Sequence, residues 1–189
     1  RFESKGTPAR REIHIDTPVR VNGEFRDGIN PKTLAKDLAQ NDFIVTIEGQ
    51  GGIGKTSLAC QISRWALAEK KAERLRNSFL IPVLLERETL WNIPDQEGAL
   101  FEAGRGEAEQ ILGGEVSPEM FERLVNKNRV LWIVDGFSEA GPQARMAFRP
   151  NTPGFKLRPS VVTSRKEEFR GGSGIHRICP LSVSGDMLF

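Results

Sequence analysis

The sequence has few cysteines and histidines and no long apolar run. Its two cysteines, Cys60 and Cys179, are far apart and lie in apolar surroundings, which favours free thiols in a reducing compartment over a disulfide. His14 and His176 each lie beside an isoleucine, outside any cluster with metal-ligand spacing, so we interpret them as structural. No segment approaches the roughly 18 to 20 apolar residues that span a bilayer, and no signal-peptide pattern is present. We therefore expect a cytoplasmic protein without a membrane segment.

The chain also lacks an excess of one charge. Its 27 Lys and Arg residues and 25 Asp and Glu residues leave a net charge of +2. Residues 10–11 and 145–158 are locally basic, but elsewhere basic residues are scattered among acidic ones. Because nucleic-acid binding needs basic residues gathered on one surface, we expect no nucleic-acid partner. A length of 189 residues with 38% hydrophobic and 28% charged residues indicates a globular protein with one sizeable core. The missing initiator methionine and the abrupt apolar ending at residues 186–189 predict a piece of a longer protein.

One segment carries a phosphate-binding pattern, G-x-x-x-x-G-K-[ST], the Walker A loop. It reads Gly49-Gln50-Gly51-Gly52-Ile53-Gly54-Lys55-Thr56, and it lies between the apolar run 43–47 and a helical pattern. Glycines let successive backbone amides turn toward phosphates, and the start of the following helix adds a positive dipole end. We expect Lys55 to reach the β- and γ-phosphates of a nucleotide and the Thr56 hydroxyl to ligate Mg²⁺.

Strand-like and helix-like patterns alternate along the chain, which is typical of βαβ units with a parallel sheet. The five predicted strands are residues 43–48, 79–85, 130–135, 160–163 and 177–179. Pro82 indicates an outer position for the second strand, because proline cannot donate to a neighbouring strand. The predicted helices are residues 31–41 with Asn30 as cap, a helix after the loop that closes over 69–76, and residues 117–126 with Ser117 as cap.

The pattern is irregular in the lead-in before residue 43 and again, within the core, over residues 89–114. Residues 1–42 are predicted to be a lead-in with an edge strand or hairpin near residues 13–21, followed by the short helix beside the pocket. Residues 43–189 form the predicted core. Helical periodicity over residues 89–114 is weak and is broken by Gly98, Gly104 and Gly106.

Asp135 ends the third apolar run. At the carboxyl edge of a parallel sheet, its carboxylate would face Thr56 and hold the Mg²⁺ shell. The alternative is an aspartate that forms a turn with Gly136. The loop pattern upstream favours the magnesium role.

Two charged residues lie near the same predicted edge. Glu139 is the nearest carboxylate able to polarise a water for attack on the γ-phosphate, and a solvated helix-capping acid is the alternative. Arg165 follows the fourth run, so it is a candidate for reading the γ-phosphate and stabilising the charge that develops during transfer. A surface arginine paired with Glu167 or Glu168 is the competing interpretation.

Together these segments resemble the NACHT branch of the STAND ATPases, which are signal-transducing P-loop ATPases that include innate-immune receptors. Residues 49–59 are similar to the family's Walker A loop and the opening of its first helix. Residues 81–86 resemble the next strand, and residues 130–139 resemble the extended Walker B segment. Residues 162–165 are similar to the sensor segment, and Pro180-Leu181 to the stretch beyond it.

The resemblance implies a three-layer P-loop NTPase fold with a five-stranded parallel sheet in the order 2-3-4-1-5. The strand of Thr163 would then lie between the Walker A and Walker B strands. It also implies ATP or ADP with Mg²⁺ as ligands. The implied site residues are Gly49 to Ser57 for nucleotide binding, Thr56 and Asp135 for the metal, and Lys55, Asp135, Glu139 and Arg165 for catalysis.

The chain departs from the family where Ser138 replaces the first of two usual acids and leaves Glu139 alone. This predicts slow hydrolysis with binding retained. The helical and winged-helix modules that follow the ATPase core in the family are not part of this chain. The resemblance implies a switch in which ADP keeps the parent protein closed, while ATP favours an open state that self-associates as a homo-oligomer and activates a fused effector.

Two other functions stay open. A nucleotide-binding interaction scaffold without turnover is slightly favoured by Ser138. A GTPase is disfavoured because the chain has no Asn-Lys-x-Asp segment to read guanine. Residues 171–174 are predicted to be a flexible turn and not a second phosphate loop, since no Lys-Thr follows them.

Overall fold

In the part of this α/β protein that the structure describes, seven strands form one mixed sheet. A computed structural model describes residues 17–38, 42–85, 87–91, 98–148, 157–165 and 174–182. The strands are β1 Val19–Val21, β2 Glu24–Arg26, β3 Ile44–Glu48, β4 Ile81–Leu85, β5 Val130–Val134, β6 Ser160–Ser164 and β7 Ile175–Pro180. Their order across the sheet is β2-β1-β7-β3-β6-β5-β4.

The expected sheet of five strands, all parallel, is wrong, because a hairpin from the lead-in adds two antiparallel strands. β1 pairs with β2 and also with β7, and both pairings are antiparallel. The turn between β1 and β2 is Asn22-Gly23, with φ of 52° and 92°, which is the left-handed geometry of a tight hairpin turn. Val19–Val21 is thus a strand as predicted, but it lies inside the sheet and pairs with Glu24–Arg26, where no strand was expected. Residues 13–15 lie outside the described residues.

The other five strands are mutually parallel and lie in the order β4-β5-β6-β3-β7. β6 pairs with both β3 and β5, so the predicted place of the Thr163 strand is confirmed. β4 forms the edge of the described sheet, as Pro82 indicates. Parallel strands present their carboxyl ends at one edge, and the three central strands therefore bring residues 49, 135 and 165 to the same edge.

Six helices accompany the sheet in the described residues: α1 Pro31–Asp37, α2 Lys55–Leu67, α3 Arg87–Trp91, α4 Ala99–Leu112, α5 Pro118–Asn126 and α6 Pro142–Ala147. Asn30 and Ser117 cap α1 and α5 as predicted, each accepting a hydrogen bond from a first-turn amide. The helix after the loop ends earlier than predicted, at Leu67, and a short 3₁₀ turn follows at Lys71–Glu73. No described helix combines the length and apolar character that crossing a membrane requires.

Alternate residues of the strands pack against helices on the two faces of the sheet, because successive strand side chains point to opposite faces. On one face Val45, Ile133 and Val161 join the core formed by α1 and α2, where Trp65 is buried as predicted. On the other face Trp132 and Val162 pack with α3 to α6. Both faces of the parallel strands are therefore covered, which explains why the runs in the sequence are continuously apolar.

A continuous helix crosses residues 99–112, where the sequence predicts breaks at glycines, and packing explains the glycine at position 104. α4 runs without interruption through Gly104 and Gly106. A Cβ atom built on Gly104 would lie 2.3 Å from the Trp132 ring, whereas one on Gly106 has nothing within 4 Å. Trp132 is fully buried and also meets Phe121 edge to face at 5.9 Å. Gly104 therefore gives the ring the space that a side chain would occupy.

We expect Gly104→Ala to destabilise the chain by about 1 to 3 kcal/mol, because a methyl group would overpack a rigid aromatic ring. Gly106→Ala is the matched control in the same helix, and it should stabilise by about 0.5 to 1 kcal/mol through helix propensity alone. Urea unfolding followed by circular dichroism measures both. Equal shifts of the two variants in the stabilising direction would show that Trp132 does not need the space.

Candidate functional site

The candidate site is built at the carboxyl ends of β3, β6 and β5. Residues 49–54 connect β3 to α2, Phe137–Glu139 forms a 3₁₀ turn after β5, and Arg165 directly follows β6. The amide of Gly49 donates to the carbonyl of Ser164 at 3.2 Å, so the loop and the end of β6 are joined directly. The predicted site residues thus come from three separate parts of the chain and meet at one edge.

The loop has the backbone that its glycines allow. Gly52 and Gly54 have φ of 80° and 93°, a left-handed conformation in which a side chain would be strained. Gly54 is the N-cap of α2 and supplies no side-chain hydrogen bond to the first turn. Gln50, Gly51, Gly52 and Gly54 are exposed, and Ile53 and Ser57 are half-buried. The loop therefore presents its backbone to solvent at the positive end of the α2 dipole.

Lys55 folds over this loop. Its Nζ donates to the carbonyl oxygens of Gly49 at 2.8 Å and of Gln50 at 2.7 Å. Burial lowers the pKa of the ammonium, and the positive charge of Arg165 lowers that pKa further, while Asp135 and Glu139 act in the opposite direction. Lys55 therefore interacts electrostatically with the other three charged side chains predicted for the site.

Thr56 and Asp135 are in direct contact, although 79 residues separate them in sequence. The Thr56 hydroxyl donates to both carboxylate oxygens of Asp135, at 3.1 and 3.2 Å. The amide of Asp135 also donates to the carbonyl of Leu85 at 3.2 Å. The structure thus brings together the two residues that the sequence predicts as metal ligands.

Thr163 is a site residue that sequence reasoning misses. Its Oγ1 donates to Oδ1 of Asp135 at 2.6 Å and accepts from the amide of Gly136 at 2.8 Å. These bonds fix the orientation of the carboxylate that meets Thr56. The available signal is position: Thr163 ends the predicted fourth strand, at the sheet edge where Asp135 is expected.

Glu139 and Arg165 form an ion pair, with Arg165 Nη2 at 2.6 Å from Glu139 Oε1. The Arg165 side chain is 61% exposed and that of Glu139 is 25% exposed. The amide of Arg165 donates to Oγ of Ser138 at 3.1 Å. The two acids proposed above as competing partners of Arg165, Glu167 and Glu168, lie outside the described residues.

Glu48 is a second residue that sequence reasoning misses. It ends β3 directly before the loop and is 7% exposed. Its Oε2 lies 3.2 Å from Nε of Arg177 on β7. The backbone of Arg177 is held in turn by Asn22, through bonds of 2.8 Å to its amide and to its carbonyl. The hairpin turn is therefore connected through Arg177 to Glu48, the residue that precedes the loop.

His176, Cys60 and Cys179 are the histidine and cysteines that the structure describes. In the described parts of the chain, no three His, Cys, Asp or Glu side chains gather as a metal-binding group. His176 lies near Asn22, and burial lowers its pKa; His14 and residues 171–173 are outside the described residues. Cys60 is buried and Cys179 is half-buried, and the two are not joined in a disulfide.

No family model and no curated protein matches this chain. Any assignment of function therefore depends on the residues and their geometry. The geometry joins a glycine-rich loop, a lysine, a hydroxyl and a carboxylate at one sheet edge, with an arginine–glutamate pair beside them. That combination is suited to holding a polyanion and a hard cation together.

Cys60 offers a test of this geometry, because it lies one helical turn beyond Thr56 on α2. Burial first, and then the negative charge of Asp135, raises the pKa of the Cys60 thiol to about 11. In the Cys179→Ser variant we expect the remaining thiol to react with Ellman's reagent at pH 8 on the order of a hundredfold more slowly than a free cysteine, since the thiolate is the reactive form. The rate should rise as the pH approaches 11.

Asp135→Asn in the same background is the control, and it should speed the reaction because one cause of the raised pKa is removed. A thiol that reacts at the rate of free cysteine at pH 8 would contradict the burial of Cys60 beside the site.

Proposed function

We propose that this chain is an ATP- and ADP-binding switch module that hydrolyses ATP slowly. The observation that carries the proposal is the contact of the Thr56 hydroxyl with the Asp135 carboxylate at 3.1 and 3.2 Å. It joins the end of a phosphate-loop pattern to an acid that ends a buried strand. A P-loop ATPase needs this pairing of hydroxyl and carboxylate to hold its metal.

The architecture supports a P-loop NTPase fold, and we propose from the sequence resemblance that it is of the NACHT type. Its five parallel strands have the order β4-β5-β6-β3-β7, and the loop follows the strand that lies between β6 and β7. We further propose, from the resemblance, that ADP keeps the parent protein closed and that ATP favours self-association and activation of a fused effector. A nucleotide drives such a change only through a difference in its affinity for the two states.

In this proposal the phosphates bind where Lys55 now meets carbonyl oxygens. The exposed loop amides and the start of α2 supply hydrogen bonds and a positive field for the phosphates. The Lys55 ammonium donates to Gly49 and Gln50 at 2.8 and 2.7 Å. On nucleotide binding it would exchange these carbonyls for the β- and γ-phosphates. Before the nucleotide binds, the contacts with these two carbonyls hold the ammonium close to the loop.

The donor set fits Mg²⁺. This ion prefers oxygen ligands and is usually bound by one or two carboxylates together with substrate phosphates and water. Thr56 and Asp135 would hold it, and Thr163 fixes the carboxylate at 2.6 Å. When bound, the ion neutralises charge that develops on the phosphate oxygens.

Glu139 and Arg165 are the proposed catalytic pair. Glu139 would polarise the attacking water, and Arg165 would stabilise charge on the γ-phosphate. Their ion pair at 2.6 Å means that each group is engaged by the other and must exchange partners during turnover. Since Ser138 adds no second carboxylate, the proposed turnover is slow.

The same ion pair favours a second candidate function, a nucleotide-binding scaffold without turnover. If Glu139 stays bound to Arg165 in the complex, no carboxylate reaches the water. Nucleotide would then stabilise the fold and shape an interaction surface without being hydrolysed. Binding and turnover experiments separate the two candidates.

Binding is tested by thermal unfolding with Mg²⁺ and ATP. A ligand that binds only the folded state at a hundredfold excess over Kd stabilises by about 2.7 kcal/mol, which raises the Tm of a chain of this size by roughly 5 to 11 °C. We expect Lys55→Ala to lose most of this shift. Lys32→Ala is the matched control, because Lys32 is exposed on α1, and it should keep the shift. An equal shift in both variants would contradict the proposed pocket.

Turnover is tested by phosphate release at saturating ATP and Mg²⁺. Glu139→Gln keeps the shape of the side chain but removes its basicity and its charge. We expect this variant to lose release, and to bind ATP at least as tightly as the wild type, since Arg165 loses a competing carboxylate. Release that persists unchanged in Glu139→Gln would rule out Glu139 as the base, and nucleotide binding without release in the wild type would favour the scaffold.

A further inference from the structure

Ser138 has a defined contact in the site, although it lacks the carboxylate that the resemblance leads one to expect. Its Oγ accepts a hydrogen bond from the backbone amide of Arg165 at 3.1 Å. Arg165 is the first residue after β6. The bond therefore ties the 3₁₀ turn after β5 to the end of the neighbouring strand.

This bond is one of a series that joins the two segments. Nearer the sheet, Thr163 bonds Asp135 and Gly136 at 2.6 and 2.8 Å. Farther out, Ser138 holds the amide of Arg165, and Glu139 holds its guanidinium at 2.6 Å. Arg165 is thus held at both ends, by its backbone and by its charge, from two adjacent residues of one turn.

The turn that carries Ser138 is itself fixed in place. Phe137 is 3% exposed and packs against Phe148 with ring centroids 5.5 Å apart. Arg145 lies over the Phe137 ring at 5.8 Å and donates to the carbonyl of Ser138 at 3.4 Å. The Ser138 hydroxyl is consequently presented from a packed support and not from a free loop.

We propose that Ser138 is a positioning residue that acts through the Arg165 backbone to direct the guanidinium at the γ-phosphate. The inference rests on the proposed function. When the guanidinium leaves Glu139 for a phosphate, the bond from Ser138 keeps its backbone in place, so only the side chain has to move. A hydroxyl does this without adding a negative charge beside a polyanion, as a carboxylate would.

Loss of this positioning should weaken the binding of ATP and not of ADP, since only ATP carries the γ-phosphate that Arg165 would contact. The measurement is the ratio of Kd values for ADP and for a non-hydrolysable ATP analogue, AMP-PNP, with Mg²⁺, by calorimetry on the full chain. We expect Ser138→Ala to lower this preference about fivefold, the factor of one typical hydrogen bond, with ADP binding unchanged. Ser138→Thr keeps the oxygen and should restore the preference. Ser78→Ala, remote from the site at the amino end of β4, should not change it.

Two further measurements separate positioning from a general loss of stability. In an Arg165→Ala background, Ser138→Ala should have no additional effect, because residues that act through one another are not additive. In the chain without nucleotide, hydrogen exchange of the Arg165 amide followed by NMR should be faster in Ser138→Ala than in the wild type or Ser138→Thr.

Three results would overturn the inference alone: an unchanged ADP to AMP-PNP ratio in Ser138→Ala, equal weakening of both nucleotides, or a full additional effect in the Arg165→Ala background. Unchanged exchange of the Arg165 amide would overturn it whether or not nucleotide binds. A wild-type chain that binds neither nucleotide would instead refute the proposed function, and the γ-phosphate role of Ser138 with it, while amide exchange would still report the contact itself.

Discussion

The site depends on the hydrogen bonds that the Asp135 carboxylate accepts. It accepts from Thr56 at the start of α2 and from Thr163 on β6, and so it connects the ends of three adjacent strands. Because β6 lies between β3 and β5, Thr163 stands between the residue that follows β5 and the helix that follows β3. A different strand order would leave Asp135 without one of these partners. The topology of the sheet is thus a condition for the geometry of the site.

Much of the fold was predictable because its signals are local. Each central strand is a continuous apolar run, and the caps Asn30 and Ser117 precede their helices directly. The antiparallel part of the sheet was not predictable in the same way, since the hairpin joins β7 through residues about 155 positions away in sequence. Gly104 resembles a helix break in the sequence for a related reason: its lack of a side chain is explained by Trp132, which only the packed structure brings next to it.

The residues of the candidate site also differ in whether a local signal in the sequence predicts them. Lys55 and Thr56 follow from loop spacing, and Asp135 from its place after an apolar run. Thr163, Ser138 and Glu48 carry no comparable signal, because a single polar residue in or beside a strand is common and its partner is distant in sequence. Their contacts with Asp135, Arg165 and Arg177 appear only when the strands are aligned. Sequence alone therefore predicted the proposed ligands of the phosphate and the metal, but not Thr163 and Ser138, which hold Asp135 and Arg165 in place.

The magnitudes of the contacts indicate where a difference between ATP and ADP would arise. Both cations of the site have internal partners: Lys55 has two loop carbonyls and Arg165 has Glu139. Arg165 is 61% exposed, and exposed ion pairs contribute only about 0.2 to 1 kcal/mol. A terminal phosphate carries more negative charge than a carboxylate and offers three acceptor oxygens to the same guanidinium. In the proposed function the exchange of Glu139 for a γ-phosphate is therefore favourable, and because ADP lacks that phosphate, the Arg165–Glu139 pair is the part of the site best able to convert nucleotide identity into a difference in conformation.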